Sequence, residues 1–194
     1  MKPILCSPAS QIPGSWMPQN GFVPASRISP HHWEQIPTLW HPRHLAEQDE
    51  SLRQWIPYCL LMRSQSVAAY PRSGTENRLW NLWSVGFGGH VEVQDQRSSL
   101  LATLIACAKR EVLEETGLVL PESIFEPLGL VHESVSPVGR VHLGLVFRVK
   151  LAAYQNIRIT SEILSYQWWI PSKPLHQLES WSCLALQLLD VVDH

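Results

Sequence analysis

Arg110-Glu111-Val112-Leu113-Glu114-Glu115-Thr116-Gly117-Leu118 closes the strongest helical pattern of this 194-residue chain. Upstream of it, Leu101, Leu104, Ile105, Ala108 and Val112 recur at steps of three and four residues, the spacing of one helix face. The pattern predicts a helix over residues 100–115. Gly117 then stands where a helix takes a left-handed C-terminal cap.

Successive helix residues turn by about 100°. With Glu111 at zero, Glu114 falls at about −60° and Glu115 at about +40°, so the three carboxylates share one arc. Leu104, Ala108 and Leu101 fall at about 20°, 60° and 80°, so that arc overlaps the edge of the apolar face. Such crowding is unfavourable for folding alone: like charges repel at these spacings, and the C-terminal end of a helix disfavours negative charge. A hard divalent cation removes the penalty, and Mg²⁺ accepts carboxylate oxygens while keeping waters for a phosphate ligand. A solvated acidic helix end is the competing reading for three glutamates by themselves.

Ahead of the helix, Gly86-Phe87-Gly88-Gly89-His90 follows a short apolar run from Leu82 to Phe87. Paired glycines let the backbone come close to a ligand, though they also serve simple turns. Other strands are expected at Trp55–Met62, Ser66–Tyr70, Leu128–His132, Val141–Val149 and Gln167–Ile170, and a C-terminal amphipathic stretch from Leu175 to Val192 forms one or two helices. Strands interleaved with a central and a C-terminal helix suggest an α/β fold layered on a mixed sheet. Residues 1–45, rich in Pro, Ser, His and Trp, read as an irregular N-terminal arm that packs only in part, followed by a domain over 46–194. Pro42 sets His41-Pro42-Arg43-His44 against a helical metal pair.

The formal charge of −2 excludes a general nucleic-acid binder, which would carry a basic excess. The start Met1-Lys2-Pro3-Ile4-Leu5-Cys6 lacks the apolar core of a secretory signal, and no run is long enough to span a bilayer. Cys6, Cys59, Cys107 and Cys183 form no CxxC pair and suit a reducing, cytoplasmic setting. The nine tryptophans are expected mainly in the core or in a lid.

Taken together, these residues resemble the Nudix hydrolase superfamily, whose motif reads G-x5-E-x7-R-E-U-x-E-E-x-G-U with U a bulky aliphatic. Arg110, Glu111, Val112, Glu114, Glu115, Gly117 and Leu118 match its second half in full. At average residue usage such a match arises by chance in roughly one chain of this size in 10⁵. Gly89 corresponds to the opening glycine. Asp95 then stands where the family has Glu, and fourteen residues rather than seven separate it from Arg110. Counted back from Arg110, the Glu position is Ala102. Either Asp95 serves at the end of a longer loop or that ligand is missing. A subgroup with a Gly-Gly-His loop and an insertion inside the motif is similar here, and also at Trp55-Ile56-Pro57-Tyr58 and Val138-Gly139-Arg140-Val141-His142-Leu143-Gly144.

The resemblance implies an α/β/α sandwich and hydrolysis of a nucleoside diphosphate linked to another group X, with Mg²⁺ or Mn²⁺. It makes Glu111, Glu114 and Glu115 the metal ligands, one of them a base, and Arg110 the residue that orients them. Gly88 and Gly89 shape the phosphate loop. Glu162 is a candidate base from a loop. His90 and Arg72 are candidate phosphate contacts, with a loop hydrogen bond and a solvated turn as their alternatives. The expected partner is a small nucleotide-type substrate, with no nucleic acid or membrane, and a homodimer is left open. Two other readings stand beside hydrolysis: a non-catalytic nucleotide- or metabolite-binding module on the same fold, and allylic diphosphate isomerisation with Cys107 as acid/base.

Overall fold

The computed structural model describes residues 2–72, 82–158, 165–173 and 177–193. Its central strand is β4 (Leu52–Arg63), whose alternating side chains divide the core in two. Trp55, Cys59 and Leu61 face one apolar cluster with Leu104, Cys107, Ala108 and Val112. Tyr58 and Leu60 face the other, with Leu184, Ala185, Leu188 and Leu189. The first cluster is covered by the long helix Leu100–Thr116 and the second by the C-terminal helix Ser180–Asp193. A strand has a side-chain period of two, so a mostly apolar strand requires cover on both faces. The expected sandwich with a mixed sheet follows from that.

In chain order the remaining strands are β1 (Pro3–Pro8), β2 (Asn20–Pro24), β3 (Leu39–Pro42), β5 (Ser66–Pro71), β6 (Trp83–Ser84), β7 (Gly86–Phe87), β8 (Phe125–Glu133), β9 (His142–Lys150) and β10 (Gln167–Trp169). Helices α1 (Pro30–Gln35), α2 (Arg43–Ala46) and α4 (Pro137–Val141) are short, and the two covering helices are α3 and α5. The main path of the sheet runs β10-β5-β4-β9-β8-β2. The β4–β9 pair is parallel, with Gln54 opposite His142 and Met62 opposite Lys150. The pairs along the rest of the path are antiparallel. Within β8 a register shift between Pro127 and Gly129 keeps Phe125 and Leu130 on the α3 side and Leu128 on the α5 side.

The structure corrects the expectation of an irregular N-terminal arm. β1 pairs with both β3 and β4, and β2 pairs with β8, so this segment belongs to the sheet. Trp16, Trp33 and Trp55 stack in sequence, with ring centroids 5.2 and 6.0 Å apart. The indole N–H of Trp55 donates to the Ser7 hydroxyl at 2.8 Å. Composition concealed this: prolines at Pro3, Pro8, Pro24 and Pro42 sit at strand ends, where a missing N–H is tolerated. Pro42 ends β3 and α2 starts just after it, so His41 and His44 sit on different elements.

Candidate active site

Helix α3 begins on Ser99, whose hydroxyl accepts from the Ala102 amide, and ends at Gly117 in the left-handed region at φ 68°. It therefore runs one residue past the expected end and stops on the expected cap. Beside its last turns lies the turn at Gly88-Gly89. Gly88 has φ +155° and packs on the Pro57 carbonyl of β4, where a Cβ would collide. At Gly89 a Cβ would lie 2.8 Å from the carboxylate of Glu111. The glycines thus bring helix and loop together, and each side is fixed by the other: the Gly88 amide donates to Glu115 Oε2 at 2.9 Å.

Arg110 organises the remainder. Its Nε donates to Asp95 Oδ1 at 2.9 Å and its Nη2 to Asp95 Oδ2 at 2.8 Å. Nη2 also donates to the His90 carbonyl at 3.0 Å. Nη1 donates to Glu111 Oε1 at 2.7 Å and to Glu114 Oε2 at 3.0 Å. Asp95 accepts in addition from the Glu92 amide at 2.9 Å and is almost fully buried. It thus fixes the orienting arginine. Burial disfavours the Arg110 cation, but the Asp95 bonds and neighbouring groups outweigh it and hold the guanidinium charged. Burial pushes the Glu111 carboxyl up, partly offset by Arg110.

A cleft of about 870 Å³ opens in front of this turn. Glu111, Gly88, Gly89, His90 and Arg72 all line it. Arg110, Glu114 and Glu115 stand behind or beside it, and Glu162 lies outside the described residues. His90 Nε2 lies 2.9 Å from Gln54 Oε1 and 3.2 Å from His142 Nε2, while His142 Nδ1 lies 2.7 Å from the Val138 carbonyl. Those distances suit an Nδ1–H on His142 and an Nε2–H on His90. Burial, helped by the Arg43 charge and by the neighbouring His142, lowers the His90 pKa to about 3, so the ring is neutral. Arg72 keeps its charge: burial disfavours it, and Tyr70, Glu179 and Tyr58 more than compensate. Its Nε is buried without a hydrogen-bond partner.

Sequence reading did not find the opposite wall. Glu133, at the end of β8, is braced by the Ser136 hydroxyl and by its amide at 3.2 Å. Tyr58 donates to Glu179 Oε1 at 2.5 Å and lies 2.7 Å from the Ser182 hydroxyl, at the start of α5. Arg43 and Glu47 reach the cleft from α2 and the turn after it. No local pattern marks these residues, because they converge only through the sheet. Cys107, by contrast, is fully buried with its thiol pKa pushed up by burial, and it does not line the cleft. The isomerase reading therefore loses its acid/base.

The donor set suits a divalent ion. Glu111 and Glu115 hold hard carboxylate oxygens at the glycine turn, and Mg²⁺ is ordinarily bound by one or two carboxylates together with water and phosphate. Among the described residues no group of three or more His, Cys, Asp or Glu is placed to hold a metal ion, so the protein offers at most the two carboxylates here. An open, two-carboxylate site is the kind a phosphate substrate completes.

The NUDIX domain family model matches residues 53–182, and the chain belongs to that family. It is a Nudix-type hydrolase. Protein YmaB of Bacillus subtilis strain 168 is 29% identical over 154 residues, covering 75% of each chain. The crystal structure of Tm1382, a Nudix protein, superposes with a TM-score of 0.72 at 26% identity, covering 98% of this chain and all (100%) of that one. A bifunctional NMN adenylyltransferase/ADP ribose pyrophosphatase of Francisella tularensis, complexed with AMP and a Mn ion, shares the fold at TM-score 0.57 and 14% identity, over 73% of this chain and 42% of that one. Among the described residues no helix is long and apolar enough to cross a membrane.

Proposed function

We propose that this protein hydrolyses the diphosphate linkage of a nucleoside diphosphate-X substrate with Mg²⁺ or Mn²⁺. The observation that carries the reading is the Glu111 carboxylate, seated 2.8 Å from the place a Cβ would take on Gly89, at the floor of a cleft of about 870 Å³. Glu111 and Glu115 hold the ion, and Glu114, half exposed and paired with Arg110, joins them by a change of rotamer. When bound, the ion neutralises the diphosphate and lowers the pKa of a water. One of these carboxylates accepts the proton of the attacking water. Arg110 keeps these carboxylates aimed, and Gly88, Gly89, His90 and Arg72 receive the phosphates. A base from the Glu162 segment fits the same scheme. The Gly-Gly-His loop and the long Asp95–Arg110 spacing support membership of the subgroup with an insertion inside the motif. The four free cysteines, three of them buried, fit a cytoplasmic setting. A homodimer is compatible with the reading, and nucleic acid and membrane lie outside it.

The test is turnover of nucleotide sugars, ADP-ribose, dinucleoside polyphosphates and nucleoside triphosphates, with and without metal. Glu111→Gln, Glu114→Gln and Glu115→Gln should each remove most of a metal-dependent activity. Equal rates for Glu114→Gln, Glu115→Gln and the parent would sink the metal assignment. Tight nucleotide binding without turnover across the panel would favour the binding-module reading, which the engagement of Asp95 with Arg110 motivates.

A further inference from the structure

The N-terminal fifty residues precede the stretch that matches the family, yet they touch the cleft twice. β1 clamps the glycine loop: the Leu5 amide donates to the Val91 carbonyl at 3.0 Å, and Lys2 pairs with Glu92 at 3.0 Å. α2 then carries Arg43 to the cleft wall. This is a built position. α2 follows β3 directly, β3 is paired to β1 from Pro3 to Cys6, and β1 is paired to the central strand.

Arg43 Nε donates to Glu47 Oε1 at 2.8 Å. Among the described residues no partner falls on its two Nη nitrogens, the edge of a guanidinium that grips phosphate or carboxylate in a fork. Its charge reaches the glycine loop, because it is one of the groups that hold down the pKa of His90. The rest of the wall is acidic. Glu47, Glu92, Glu111, Glu133 and Glu179 line the cleft, and Arg43 and Arg72 are the two cations among its described lining residues. A polyanionic substrate needs both.

We propose that Arg43 is a substrate-binding residue whose Nη edge takes a phosphate oxygen of the diphosphate substrate, so that the N-terminal segment completes the active site. The inference rests on the proposed hydrolase reading. Glu47 restrains Arg43 and opposes the anion.

Calorimetry of the full chain with imidodiphosphate and Mg²⁺ tests it, beside kinetics on whichever substrate the panel identifies. Arg43→Gln should weaken imidodiphosphate by about tenfold and raise KM with little change in kcat. Arg43→Lys should recover part of the loss, since a lysine keeps the charge and loses the fork. Glu47→Gln should tighten binding. Melting temperatures should hardly move, because the Arg43–Glu47 pair is about half exposed. Parent-like imidodiphosphate affinity in Arg43→Gln, with turnover intact, overturns the Arg43 assignment and leaves the hydrolase reading standing. A parent chain that binds no imidodiphosphate and turns over nothing overturns both.

Discussion

Asp95 and Arg110 meet side-on, with two parallel hydrogen bonds of 2.9 and 2.8 Å from Nε and Nη2 of the guanidinium to one carboxylate. The pair is largely shut off from solvent, at 4% and 15% side-chain exposure. Removing one member of such a pair leaves a buried charge, at a cost of about 3 kcal/mol or more. Asp95→Ala should therefore lower stability by about 3 kcal/mol in urea unfolding. It should also cut activity, because the freed Arg110 pulls on Glu111 and Glu114. A variant with parent stability would show that the pair is dispensable.

Gly89→Ala tests the close approach of loop and helix. The added methyl would lie 2.8 Å from the Glu111 carboxylate and must push it aside. A displacement of about 1 Å at a reacting centre can reduce rate by about a hundredfold. We expect a loss of that order in kcat, with melting changed by only a few degrees.

His90 gives a pH signature. Its folded pKa is about 3, against 6.5 for the free side chain. The folded state binds the proton less tightly, so the contribution of His90 to stability is full above pH 6.5 and is lost as pH falls toward 3. One such group can contribute a slope of at most about 1.4 kcal/mol per pH unit. His90→Gln, which keeps a donor near the position of Nε2, should lose stability less steeply between pH 7 and 4. Parallel curves for parent and variant would contradict the neutral, buried state.

Tyr58→Phe removes a hydroxyl held by Glu179 and Ser182 at the start of α5. Unsatisfied buried partners cost about 1–3 kcal/mol. The denaturation midpoint should fall accordingly, and the m-value should stay constant because the fold is retained.

The elements beside α3 were largely legible in the sequence. Periodicity from Leu101 to Val112 predicted α3, and Gly117 predicted its end. β4, β5 and β9 were readable as apolar runs. The N-terminal strands were not, because β1 and β3 are short and proline-bounded, and their pairing is set by a distant β4. Asp95 could be located by counting but not assigned. Its role depends on a fold-level choice between cation and guanidinium, and spacing along the chain contains no such information. Glu133, Glu179 and Arg43 reach the cleft from elements far apart in sequence, where neither motif nor period points to them.

The parallel pairing of β4 with β9 also sets a timetable for the newborn chain. Gln54 leaves the ribosome long before its partner His142 exists. At about 5–20 residues per second, the interval lasts several seconds. During it the mostly apolar β4 has its hairpin with β5 and the strands β1 and β7 to pair with, while the edge that β9 will cover stays open. An unshielded strand edge of this kind is an aggregation hazard. Yield in the cell should therefore depend on trigger-type holding of nascent chains, and slower synthesis downstream of residue 63 should reduce it.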